Sequence, residues 1–119
     1  MGGKSQWRWV KAAPSEFLTA DIQVQTEQRL LRHAEKILPK KAGLIRVRFR
    51  GDYCYIDADE GSGPPLTHLC RLGWEGNPEA WSLAFYTYSN EKYQACGFGS
   101  GKMVGIPEEA LAIGAVYLG

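Results

Sequence analysis

The sequence is poor in the residues that build metal centres and disulfide frameworks. Its 119 residues hold three cysteines, Cys54, Cys70 and Cys96, and two histidines, His33 and His68. An odd cysteine number without short paired spacing excludes a disulfide scaffold and a zinc finger. The three thiols fit small core residues in a reducing compartment. A mixed site from His68, Cys70 and Cys96 would need all three to converge, and Phe85 separates the two cysteines in the expected strand register. No metal site and no cofactor is therefore expected. Long apolar runs are missing as well: none approaches the length of about 18 residues that marks a membrane span. The opening MGGKSQWRWVK lacks the apolar stretch of a signal peptide, so a cytoplasmic location is expected.

Strong net charge is also absent, at +1 overall. That balance argues against a domain that binds nucleic acid through bulk basicity. The distribution is uneven, however. Residues 1–50 hold eleven Lys or Arg against four acids, a net of +7, and residues 51–119 hold three against nine, a net of −6. A basic binding surface would produce such a split. Charge pairing across a sheet produces it equally, and is the favoured reading.

What is present is clearest at LIRVRFRGDYCYIDAD, residues 44–59. Apolar residues alternate with period two on both sides of Gly51-Asp52, the pattern of a β-hairpin with one buried face. A two-residue loop with Gly first suits a type II′ turn. That register sets Arg50 against Tyr53, Phe49 against Cys54, Arg48 against Tyr55, Val47 against Ile56 and Arg46 against Asp57. A slip of one residue would bury three arginines, so the register is strongly specified.

The rest of the chain falls around this hairpin. Residues 1–18 form an N-terminal arm, with a candidate edge strand at residues 6–10, and residues 19–119 form a single domain. Thr19 is a helix N-cap, Asp21 stands in the first turn, and Pro39 stops a helix over residues 20–38. Val24, Leu30, Leu31, Ala34, Ile37 and Leu38 supply its apolar stripe. Arg29, Arg32 and Lys36 read as its solvated side. Strands are expected over residues 67–74, 80–89, 93–98 and 102–104. The strand at residues 80–89 carries Trp81, Leu83 and Phe85 inward, and His68 shares the inward parity of Cys70. Pro107 with Glu108 and Glu109 opens a closing helix to residue 118, where Gly114 permits close approach to the sheet. The fold class is α+β: one antiparallel sheet of five or six strands, with the N-terminal and C-terminal helices on one face.

The strings CRLGWEGNPEAWSLAFYTYSNEKYQ and GIPEEALAIGAVYL resemble a family of small uncharacterised bacterial proteins built from a helix, a sheet and a closing Pro-Glu-Glu-Ala helix. The resemblance implies the fold and no activity, and it assigns no site residue.

Catalytic motifs fail on inspection. GFGSGKM at residues 97–103 lacks the spacing, the following Ser or Thr and the helix of a phosphate loop, and reads as a β-turn. Asp57 and Asp59 alternate onto the polar face beside Arg46, where ion pairing explains them. No nucleophile has a recognisable setting. The one distinctive feature is the face opposite the helices, where arginines interleave with tyrosines. The chain is read as a non-catalytic binding or protein-interaction module, with Arg46, Arg48, Tyr55, Arg71 and Tyr86 as its surface. The partner is a second copy of the chain or another protein. The alternative is nucleic acid or a small anionic ligand on the same face.

Overall fold

The computed structural model describes residues 18–61, 63–98 and 101–118, without the Tyr117 side chain. The expected arm, save Leu18, and its edge strand at residues 6–10 lie outside the described residues.

Helix α1 spans Ala20–Ile37, and the Thr19 hydroxyl accepts from the Ile22 N–H at 3.3 Å. Thr26, Leu30 and Ala34 are its buried row, at spacings of four. Val24, expected on the apolar stripe, is instead 54% exposed, and Ile37 is also open to solvent. Two residues turn a helix through about 200°, so a row through Thr26 sends Val24 outward. The inward residue is a threonine, which hydropathy alone passes over.

The strands are β1 (Ile45–Arg50), β2 (Tyr53–Ala58), β3 (Thr67–Gly73), β4 (Trp81–Thr87), β5 (Lys92–Cys96) and β6 (Val104–Gly105). They form one antiparallel sheet in the order β1-β2-β3-β4-β5, with β6 also on β4. The β1–β2 register matches the expected one at every pair from Ile45–Ala58 to Arg50–Tyr53. Gly51 takes φ +59° and Asp52 keeps negative φ, as a type II′ turn requires. Leu72 faces Leu83 across β3–β4, and beyond them the rings of Trp74 and Trp81 meet edge to face at 5.1 Å.

Helix α2 (Pro107–Gly114) continues as a 3₁₀ turn over Ala115–Leu118. It packs on α1 and β3. A Cβ on Gly114 would stand 3.3 Å from the Cys70 sulfur, so the glycine sets the distance between helix and sheet. Both helices cover one face, and Leu30, Ile56, Leu72, Leu83, Trp81 and Leu111 fill the core between the layers. Leu18 joins that core. The α+β architecture is thus the expected one, and among the described residues no helix covers the second sheet face.

The helices are tied to the sheet by Arg29, which is more than part of a solvated side. Its guanidinium donates to both Glu108 oxygens at 2.7 Å and to Glu79 at 2.9 and 3.0 Å. One side chain thus joins α1, the start of α2 and the β3–β4 turn. Hydrogen bonding to Arg29 holds the Glu108 carboxyl below its ordinary range.

Candidate binding surface

Strand register sorts the open face into rows. The first runs Arg50, Tyr53, Gly73, Ser82, Val104. The second runs Arg48, Tyr55, Arg71, Ala84, Ala95. The third begins Arg46, Asp57, His68 and continues through Tyr86, paired with Tyr93.

In the first two rows guanidinium groups lie on phenol rings. Arg48 sits 4.1 Å above the Tyr55 ring centre, and Arg71 sits 4.1 Å above that of Tyr53 and 5.0 Å from that of Tyr93. Such pairs contribute about 0.5–1 kcal/mol each at exposed sites, and they fix the plane of the guanidinium. Gly73 leaves space beside Tyr53, whose ring lies 3.5 Å from where a Cβ would be. Among the described residues, neither Arg50 nor Arg71 has a carboxylate partner. Both border Tyr53, one across the ladder and one on its ring.

The third row departs from the sequence reading in two ways. Arg46 stands opposite Asp57 in the ladder, yet its guanidinium turns back to the carbonyls of Gly43 (2.7 Å) and Ile45 (3.1 Å) and towards Asp59 (3.8 Å). It lies at the margin, apart from Arg48, Tyr55, Arg71 and Tyr86, which ring contacts join into one cluster. Arg48 reaches Asp57 on the diagonal instead, Nε to Oδ2 at 3.3 Å. The other departure is His68, expected inward with Cys70. Between Ile56 and Asp57 the β2–β3 register shifts, so that Cys70 faces Ile56, His68 faces Asp57, and Leu69 is the extra residue. Leu69 and Cys70 are both buried, and His68 is returned to the open face. The signal was there in the sequence: two adjacent apolar residues, Leu69-Cys70, break an otherwise alternating strand.

Asp57 is the electrostatic centre of this row. It is 1% exposed, and its second oxygen, Oδ1, lies 2.9 Å from His68 Nδ1. A buried carboxylate costs several kcal/mol unless it is paired, and here a guanidinium and an imidazole supply the pairing. Tyrosines enclose the group. Tyr93 contacts the rings of Tyr55, Tyr86 and His68, and its buried hydroxyl has no hydrogen-bond partner among the described residues. Burial first, and then the charge of Asp57, hold the Tyr93 phenol well above the ordinary range. Burial likewise pushes the Cys54 and Cys70 thiols up, which keeps them protonated and poor nucleophiles. Among the described residues, no three His, Cys, Asp or Glu are placed to share a metal ion, and no helix is long and apolar enough to cross a membrane.

A cavity of about 360 Å³ opens beside this row, lined by Thr67, His68, Leu69, Tyr86 and Tyr88. A larger groove of about 650 Å³ runs along α2 and β6. It is shallower, and two of its acids, Glu79 and Glu108, are already held by Arg29.

Comparison with protein-family models, with curated proteins and with solved structures gives no match. Function is read from the site's own geometry.

Proposed function

We infer that the chain is a non-catalytic binding module whose open sheet face engages a protein partner through carboxylates. The observation that carries this reading is the pair Arg50 and Arg71, which flank Tyr53 with no carboxylate partner among the described residues. A guanidinium lying on a phenol ring presents its N–H edge outward, in the geometry that meets a carboxylate with two hydrogen bonds. Tyr53 is 40% exposed and adds an aromatic contact of the kind enriched at interface hot spots.

The same N–H edges fit phosphate, which supports nucleic acid or a small anion as the second reading. Base stacking has less support. The Tyr53 and Tyr55 rings each carry a guanidinium on one face, and Tyr55, Tyr86 and Tyr93 pack edge on against one another. Flat, free aromatic faces are what single-strand binders use.

The test is binding of fluorescent poly-glutamate and of oligo-dT to wild type and to Arg50→Glu/Arg71→Glu, with light scattering on both proteins. Poly-glutamate binding that falls at least tenfold in the variant supports the reading. A dimer that becomes a folded monomer would make the partner a second copy. Binding of oligo-dT alone, with steep salt dependence, would replace it with the second reading. Absence of any binding or association would overturn both.

A further inference from the structure

We propose that the cavity between β3 and β4 is a second site on the same face, which takes a small aromatic molecule carrying a hydroxyl or ring N–H donor. Its volume, about 360 Å³, is at the small end of ligand cavities, which run to about 300–1,000 Å³. Three rings form a corner there. His68 and Tyr88 are near parallel, 21° apart with centres at 6.2 Å. Tyr86 closes the angle, at 74° to Tyr88 and 53° to His68. A ligand ring in the corner gains a stacked contact and an edge contact together, the two arrangements aromatic pairs prefer.

Each wall is held in place before any ligand arrives. His68 is fixed through Nδ1 by Asp57. The Tyr88 hydroxyl accepts from the His68 backbone N–H at 2.9 Å, which orients a side chain that is otherwise 58% exposed. Tyr86 rests against Tyr93. Such preorganisation removes part of the ordering cost of binding.

The chemistry of the donor follows from Asp57. Its carboxylate is shared by Arg48 and His68, and it accepts the Nδ1–H of the imidazole. In the neutral ring this leaves Nε2 as an acceptor. Among the described residues no protein group bonds Nε2. The Thr67 hydroxyl proton is committed to Glu60 at 2.6 Å, so Thr67 is not a donor to the ligand. A phenol or an N–H heteroaromatic therefore matches both the rings and the acceptor. Leu69, whose insertion in β3 turns His68 to this side, lines the same cavity. Bulges that re-aim a side chain are over-represented beside functional sites.

The experiment is a titration of the full chain with 4-methylphenol and with 4-methylanisole, followed by NMR of the histidine and tyrosine rings. Millimolar 4-methylphenol should shift the signals of His68, Tyr86 and Tyr88, and 4-methylanisole, which has no donor, should bind at least fivefold more weakly. His68→Ala should abolish the preference between them. His68 also supports Asp57, so Tyr88→Ala is the second variant: it leaves that pair alone and should weaken 4-methylphenol at least fivefold. Equal binding of both probes overturns the donor assignment. No shift of these rings at the solubility limit of either probe, or binding unchanged in Tyr88→Ala, overturns the site.

Discussion

His68 Nδ1 and Asp57 Oδ1 stand 2.9 Å apart on the open face, although unbroken alternation from Cys70 would turn His68 into the core. The extra residue Leu69 makes the pair, and the pair makes the burial of Asp57 tolerable. A first prediction follows from that dependence. Arg48→Ala and His68→Ala each remove one charge-assisted hydrogen bond and should cost about 1.5–3 kcal/mol in urea unfolding at neutral pH. The double variant leaves a buried carboxylate without a counter-group, a loss of about 3–5 kcal/mol. Adding Asp57→Leu to the double variant should recover most of it, because the surroundings are aromatic. If the triple variant is no more stable than the double, charge burial is not the cause.

The hairpin was legible in the sequence because one face is wholly apolar and the other carries three arginines, so only one register avoids burying charge. The helix ends were legible from Thr19 and Pro107 for similarly local reasons. What escaped was decided by tertiary context. The bulge at Leu69 depends on space under α2, where Leu69 Cβ lies 3.4 Å from where a Gly114 Cβ would stand. Thr26 displaced Val24 from the core side because packing against the sheet, not hydropathy, rotates α1. Of the candidate surface, Arg48, Tyr55, Arg71 and Tyr86 do cluster. Arg46 leaves the group because nearby carbonyls offer its long side chain closer acceptors than Asp57 does.

A second prediction concerns the close approach of β6 to Phe98. A Cβ at Gly105 would fall 2.6 Å from the Phe98 ring and 2.8 Å from a Glu109 oxygen. The carboxylate can swing away, but the ring is 3% exposed and is hemmed in by the core. Gly105→Ala should therefore destabilise by about 1–3 kcal/mol, the usual cost of overpacking. The measurement is the urea midpoint at unchanged slope. A gain in stability would mean that Phe98 moves freely and that β6 is loosely held.

A third prediction separates the cysteines by reactivity. Cys54 and Cys70 are fully buried, and their thiols are pushed up by burial, so both reactive thiolate and access are lacking. Cys96 is partly exposed near the sheet edge, although burial raises its thiol too. In native protein a thiol reagent should label Cys96 first, and Cys54 and Cys70 only at the rate of unfolding. Mass spectrometry of the labelled peptides reads the order. Early labelling of Cys70 would show that α2 opens away from β3 without global unfolding.

The last prediction is a pH dependence centred on Arg29. Its guanidinium is pushed above its ordinary value, chiefly by hydrogen bonding to Glu108, and the Glu108 carboxyl is correspondingly lowered. A carboxyl that is more acidic in the folded chain than in the unfolded one makes stability rise with pH. The contribution is complete above the ordinary carboxylate value of 4.5 and is lost as pH falls from there through the lowered folded value. Arg29→Met keeps the apolar stem and removes the charge. It should cost about 1.5–3 kcal/mol at neutral pH, since hydrogen bonds to both Glu108 and Glu79 disappear. Because Glu108 then loses the group that lowers it, the variant should also lose less stability than wild type between about pH 5 and pH 3. Urea unfolding of both proteins across that window provides the measurement. Parallel curves would place the acid sensitivity elsewhere among the carboxylates, with Asp57 the next to examine by Asp57→Asn. Converging curves would identify the contact between α1, α2 and the β3–β4 turn as the part of the fold that acid releases first.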